Sequence, residues 1–203
     1  VLALRPSTQI ELARAILLAV QWGAHVINIS GGQVTLSGHA HPLLLDAVRW
    51  CNRERRLIVA ASGNDGSNAH QVPACLRERS VLPVGAMDQH MAPLPGTNWG
   101  DAYAMRGVLG LGELTVAYGE TGSIIKSGSS YAAAFTTGIV ALLLSEQVIC
   151  GRKPDPLDVR DALVQSAWDG RSSIDHSEAS FLEGRINGAA AARMLGLHGP
   201  RIP

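Results

Sequence analysis

Ile124 to Ser145 reads IIKSGSSYAAAFTTGIVALLLS. A small-residue turn, Ser127-Gly128-Ser129-Ser130, leads into alanines and aliphatics with almost no polar side chains. That pattern predicts a helix apolar on every side, and such a helix belongs in the middle of a domain. Its first residues are Ser130 and Tyr131, so Ser130 lies where backbone N–H groups lack intrahelical partners. Those donors and the helix dipole favour negative charge. A serine there can attack a carbonyl while its own N–H helps hold the oxyanion. The plainer reading is an N-cap, the usual job of a serine before a helix. It leaves unexplained why a hydroxyl-rich turn should feed a buried helix.

Outward from that stretch, strands and helices alternate. Gln9 to Trp22 carries Ile10, Ala13, Ile16, Leu17 and Val20 at helical spacing, with Ser7 or Thr8 as cap and Gly23 as terminator. Ala24 to Ser30 is β-branched and apolar, so a buried strand ending in Gly31-Gly32-Gln33. A loop from Val34 to His41 precedes a helix from Pro42 to about Arg55, with Leu44, Ala47, Val48 and Cys51 on one face. Leu57–Ala61 and Val81–Ala86 read as strands, Pro93–Gly112 as irregular, and Leu114–Tyr118 as a short strand. Beyond the central helix come helices from Asp155 to Ala167 and Gly188 to Leu195, separated by a polar surface loop, Trp168 to Phe181. This order predicts one α/β domain over residues 1–203 with a mainly parallel sheet, and a frayed tail at 196–203.

The 203 residues are 46% hydrophobic and 17% charged, enough for a real core. Acidic and basic residues balance at 17 each, and aromatics make up 4%. Neither nucleic acid nor an anionic membrane surface is expected as partner. No apolar run reads as membrane-spanning. Cys51, Cys75 and Cys150 fit no zinc pattern and point to a reducing, cytoplasmic compartment. Cys51 sits among apolar residues as a small core hydrophobe. No metal or cofactor is expected. Val1-Leu-Ala-Leu reads as a buried strand, and since a chain rarely begins inside its core, an amino terminus cut short is expected.

Gly128-Ser129-Ser130-Tyr131-Ala132-Ala133-Ala134 resembles the nucleophile motif of subtilisin-like serine proteases, Gly-Thr-Ser-x-Ala-x-Pro. Ser130 falls on the nucleophile; Ser129 stands for Thr, and Ala134 for Pro. Ser62-Gly63-Asn64-Asp65-Gly66, read from the residues alone, is a turn at the end of a parallel strand, where open α/β sheets place their sites. It is similar to the family's Ala-Gly-Asn-x-Gly motif, whose Asn donates to the oxyanion; the resemblance implies that role for Asn64 beside the Ser130 N–H. Ile27-Asn28-Ile29-Ser30-Gly31-Gly32 resembles the family strand that pairs with an extended substrate. Ser30, Gly31 and Gly32 would then line one side of the substrate, and Ala61, Ser62 and Gly63 the other, with Ser129 beside them. Fainter matches are Val72-Pro73-Ala74 with Val81–Asp88, Thr97-Asn98-Trp99-Gly100, and Gly184-Arg185-Ile186-Asn187. Together the matches run in family order over nearly the whole chain.

The resemblance implies a three-layer subtilisin-like fold and a serine endopeptidase acting on peptides or proteins by acyl transfer. Ser30-Gly31-Gly32-Gln33, Gly38-His39-Ala40-His41-Pro42 and Asn98-Trp99-Gly100 are similar, within the family, to proteases that mature cyanobactin-type ribosomal peptides. A protease of this type also needs a histidine base and an aspartate to orient it. The family places them in His-Gly-Thr and Asp-Thr/Ser-Gly motifs, and this sequence contains neither. His39 and His41 could hold a metal, but loop solvation is the plainer reading. The expectation is therefore a subtilase domain without its amino-terminal third. The alternative is a non-catalytic subtilase-like module that binds an extended peptide.

Overall fold

The computed structural model describes residues 3–119, 122–167, 182 and 184–197. Its sheet is built from β1 (Val26–Ile29), β3 (Leu57–Ala61), β5 (Val81–Met87) and β6 (Val108–Leu111), in the order β1-β3-β5-β6 and all parallel. The helices are α1 (Gln9–Gln21), α2 (Pro42–Arg53), α3 (Ser129–Ile149), α4 (Pro156–Gln165) and α5 (Gly188–Met194). Successive side chains of a strand point to opposite faces, and β3 shows the consequence. Ile58 and Ala60 join a core with Ala13 and Ile16 of α1 and Leu44, Ala47, Val48 and Cys51 of α2. Leu57, Val59 and Ala61 join the opposite core, with Ala132, Ala133 and Val140 of α3, Leu163 of α4 and Ala191 of α5. The result is a three-layer α/β/α domain.

Local chemistry sets the helix ends. Thr8 caps α1 in a reciprocal box: its hydroxyl accepts from the Glu11 N–H, and the Glu11 carboxylate accepts from the Thr8 N–H. Pro42 opens α2 behind His41, whose Nδ1 accepts from the Leu43 N–H. Asp155 caps α4 by accepting from the Leu157 and Asp158 N–H groups. Asp155 and Asp158 also pair with Arg55, tying α4 to the turn before β3.

Several expectations are corrected. Ala3 and Leu4 are exposed and form no strand, because nothing among the described residues pairs with them. The Val34–His41 loop begins with a strand, β2 (Gln33–Thr35), antiparallel to β4 (His70–Val72). Gly-rich Pro93–Gly112 contains β6, and Gly122–Ser127 is a strand, β8, paired antiparallel with β7 (Glu113–Tyr118). The tail is not frayed at its start: the Leu197 N–H donates to Ala192 O, and Leu197 is buried. The loop expected at Trp168–Phe181 lies outside the described residues.

The largest correction concerns α3. Ser129, Ala132, Ala133, Thr136, Val140, Leu143, Leu144 and Gln147 are buried, but the stripe of Phe135, Leu142, Val148 and Ile149 is exposed. The sheet covers one side of the helix, and no described element covers the other. With 21 residues and a mean hydropathy of 1.6, α3 is long and apolar enough to cross a membrane, contrary to the sequence expectation. Its buried Ser129, Thr136 and Gln147 and its packing on the sheet mark it as a core helix. β1 is likewise not fully buried: it ends the sheet, with Asn28 exposed and Val26 and Ile27 half-buried. Beside it lies an open groove of about 1010 Å³, lined by Leu12, Ile16, Ile27, Asn28 and Thr137. An open apolar stripe beside an unpaired strand edge favours association. The 203-residue chain alone should therefore bind the dye ANS and self-associate in sedimentation; a dye-free monomer would count against this surface being open in solution.

Candidate active site

β1 and β3 run parallel, so Ser30 and Ser62, which follow their last residues, leave the sheet at the same carboxyl edge. α3 begins there. Its N-cap is Gly128, at φ +145, which has no side chain with which to cap the helix. The N-cap reading of Ser130 is therefore not what the structure shows. Ser130 is half-buried, and its Oγ donates to the Ser30 carbonyl at 2.8 Å. The Ser30 Oγ donates back to the Ser130 carbonyl at 3.0 Å. Among the described residues the Ser130 N–H makes no hydrogen bond, so it remains an open donor at a helix N-terminus.

Asn64 meets this helix end from the turn after β3. Its Oδ1 accepts from the Ser129 N–H at 2.8 Å. A Cβ at Gly128 would lie 3.3 Å from that same oxygen, so a side chain there would crowd the carboxamide. With the oxygen held, the amide NH2 has no partner among the described residues. Asn64 is exposed. Asn64 and Ser130 are thus brought to the same end of α3 through the Ser129 N–H, each with a donor that has no partner among the described residues. This arrangement can stabilise negative charge on an oxygen next to an attacking serine.

The flanking segments divide into an open side and a closed side. Ser30, Gly31 and Gly32 are exposed, and a Cβ on Gly31 would meet nothing within 4 Å. Gly32 has a different reason to be glycine: a Cβ there would sit 2.4 Å from the Val72 carbonyl oxygen. Ala61, Ser62 and Gly63 are buried. Their carbonyls accept from the Gln71 side chain, from the Asn98 side chain, and from the Asn98 N–H respectively. This segment can form a wall but offers no carbonyl for a substrate ladder. Ser129 corrects a sequence expectation: it is fully buried and its Oγ accepts from the Gly63 N–H at 3.2 Å, so it is a pin between α3 and the turn rather than a ligand contact.

Gly63 carries a further consequence. Its φ is +110, and a Cβ would lie 2.3 Å from the Asn98 Nδ2 and 2.9 Å from the Gln71 Oε1. Gly63→Ala should cost at least about 2 kcal/mol. In a chain of this size that lowers the melting temperature by roughly 4–8 °C. Differential scanning calorimetry checks this; an unchanged melt would mean the turn relaxes freely.

No described histidine hydrogen-bonds to Ser130. His25 precedes β1, at the opposite end of the sheet, with its pKa lowered by burial and by Arg56. His41 caps α2, His70 lies in β4, and His90 follows β5 in a turn closed by Asp88. His176 and His198 lie outside the described residues. No cluster suited to a metal occurs among the described residues, His39 and His41 included.

Sequence reasoning passed over five residues that the structure draws in. Asn28 donates to the Ser30 Oγ at 2.9 Å and accepts from Thr137 on α3 at 3.0 Å, extending the polar chain from Ser130 along β1. Its signal was a lone amide within an otherwise apolar strand. Gln71, Asn98 and Tyr103 brace the turn that carries Asn64. Only Asn98 stood in a quoted motif; nothing local distinguished the other two.

The subtilase family's sequence profile matches residues 3–192. A thermophilic serine proteinase from Bacillus sp. (strain AK1) is 32% identical over 181 residues, which is 87% of this chain and 40% of that protein. The chain therefore spans about 40% of the length of this curated relative. Among solved structures, it is similar to the patellamide maturation protease PatA, with 43% identity and a TM-score of 0.85 over 96% of this chain and 71% of that one. It is also similar to the PatG macrocyclase in complex with peptide, with 31% identity and a TM-score of 0.86 over 95% of this chain and 58% of that one.

Proposed function

The chain belongs to the subtilase family, and on that premise we propose that it is the nucleophile-bearing part of a serine endopeptidase. In this reading Ser130 Oγ attacks the scissile carbonyl of an extended peptide lying along Ser30–Gly32. The Ser130 N–H and the Asn64 NH2 hold the oxyanion. The C–N bond then breaks, the amine leaves with the proton taken from the serine, and water hydrolyses the resulting acyl-enzyme to release the product acid. The serine proton needs a base, and the base needs an orienter. Neither motif is present in these 203 residues, so both groups are proposed to come from outside them. Resemblance to maturation proteases supports a ribosomal precursor peptide as substrate. Three free cysteines, Cys51, Cys75 and Cys150, support a reducing compartment, proposed to be the cytoplasm.

One observation carries this reading. The carboxamide oxygen of Asn64 is held by the Ser129 N–H, one residue before Ser130, which leaves its NH2 without a partner among the described residues. A different observation favours a second reading, a non-catalytic peptide-binding module: the Ser130 hydroxyl donates to the Ser30 carbonyl and not to a base. A fluorophosphonate probe on the full-length gene product separates them. Catalysis predicts covalent labelling mapped to Ser130 by peptide mass spectrometry. A folded protein that takes up no probe would favour the binding module.

A further inference from the structure

We propose that Tyr103 is a positioning residue for Asn64, acting through the loop from Ser62 to Gln71. The proposal deepens the catalytic reading and takes from it the role of Asn64. Tyr103 is fully buried, yet its hydroxyl reaches three backbone groups of that one loop. It donates to the Ala69 carbonyl at 2.6 Å, lies 3.2 Å from the Ser62 carbonyl, and accepts from the Gln71 N–H at 2.8 Å. Ser62 and Gln71 bound the loop, and Asn64 lies between them, so one oxygen closes the loop on itself. Burial pushes the phenol up to about 12, so its proton remains available for donation at neutral and alkaline pH.

The middle of the loop is tied to the 96–99 segment, the Gly66 N–H donating to the Gly96 carbonyl and the Ser67 carbonyl accepting from the Trp99 N–H. The loop is no strand between Ser62 and Ala69, and Asn64, Asp65 and Gly66 are exposed. Asn98 holds its near end, donating from Nδ2 to the Ser62 carbonyl at 3.0 Å and accepting from the Asp65 N–H at 2.9 Å. The Tyr103 hydroxyl joins that end to the far one, reaching Ser62, Ala69 and Gln71 from a single atom. Gln71, fixed by the same hydroxyl, turns back to donate to the Ala61 carbonyl at 3.0 Å, under the wall of the site. The orientation of Asn64 is read out at one atom, the Ser129 N–H that its oxygen accepts from. A loosened loop should weaken that bond.

Tyr103→Phe removes one oxygen and keeps the ring, so packing is preserved. Hydrogen exchange of the full-length protein gives a readout that does not need catalysis. The Ser129 amide should exchange about tenfold faster in the variant, the size of one lost neutral hydrogen bond, while amides of β5 stay unchanged. Fluorophosphonate labelling gives the second readout. Labelling of Ser130 should slow about tenfold in the variant, and by less than twofold when Asn64→Ala is already present, because the two residues act as one unit. An unchanged Ser129 amide overturns the proposal, and so does an equal slowing in both backgrounds. If the wild type takes no label but the Ser129 amide responds, the positioning role stands and the catalytic reading falls.

Discussion

Ser130→Ala is expected to lower peptide cleavage by the full-length gene product on the order of 10⁴-fold or more, and to abolish fluorophosphonate labelling. The expectation follows from what the hydroxyl does and does not do in the fold. It makes one hydrogen bond, to the Ser30 carbonyl, in a half-buried position. Losing such a bond costs about 1 kcal/mol, which moves the melting temperature by roughly 2–4 °C. The variant should therefore fold almost normally and still be inactive, because nothing else at the site can form the acyl bond. Ser129 is the adjacent hydroxyl, but it is fully buried and committed to the Gly63 N–H, so it cannot substitute. The measurement is the initial rate on a precursor peptide, taken beside a melting curve. Cleavage within tenfold of wild type would remove Ser130 from the chemistry. A collapse of stability would show that it serves packing instead.

How far the sequence could be read depended on which forces leave a local trace. Helix periodicity with end signals is local: Thr8, Pro42, Asp155 and Asn187 lie where the caps or first turns of α1, α2, α4 and α5 are found. Buried parallel strands are also local, because both faces must be apolar, and β3 and β5 read as continuous hydrophobic runs. β2, β4 and β8 left no such trace. They are short or solvent-exposed and owe their strand state to cross-strand pairing, as when Gln33 pairs with Val72. α3 misled for a related reason. Its composition is apolar all round, but burial depends on what covers each side, and here only one side is covered. At the site, the approach of the Asn64 turn to the start of α3 was legible because both stretches follow recognisable turn motifs. Tyr103 and Gln71 were not, since a buried phenol 32 residues beyond the amide it accepts from has no sequence signature.

Replacing Asn64 separates the two ends of its amide, and the two variants should behave differently in stability but alike in catalysis. Asn64→Ala removes both the oxygen that accepts from the Ser129 N–H and the NH2 that has no partner among the described residues. Asn64→Asp keeps an acceptor for Ser129 and places negative charge at the start of α3, where the helix dipole favours it. The alanine variant should thus lose about 1 kcal/mol of stability, and the aspartate variant little or none. Catalysis should fall in both, because only the NH2 can donate to a developing oxyanion. The expected loss for alanine is roughly a hundred- to a thousandfold in kcat, the size established for such a donor in subtilisin itself. Aspartate should do no better, since its carboxylate repels the charge it faces. KM should barely move in either case, because the oxyanion exists only in the transition state and the ground-state carbonyl gains little from the donor. Steady-state kinetics on the full-length protein give both parameters. If Asn64→Asp retained kcat within a few fold of wild type, donation from this side chain would not be part of the mechanism, and the free NH2 would be an incidental result of how the turn packs against α3.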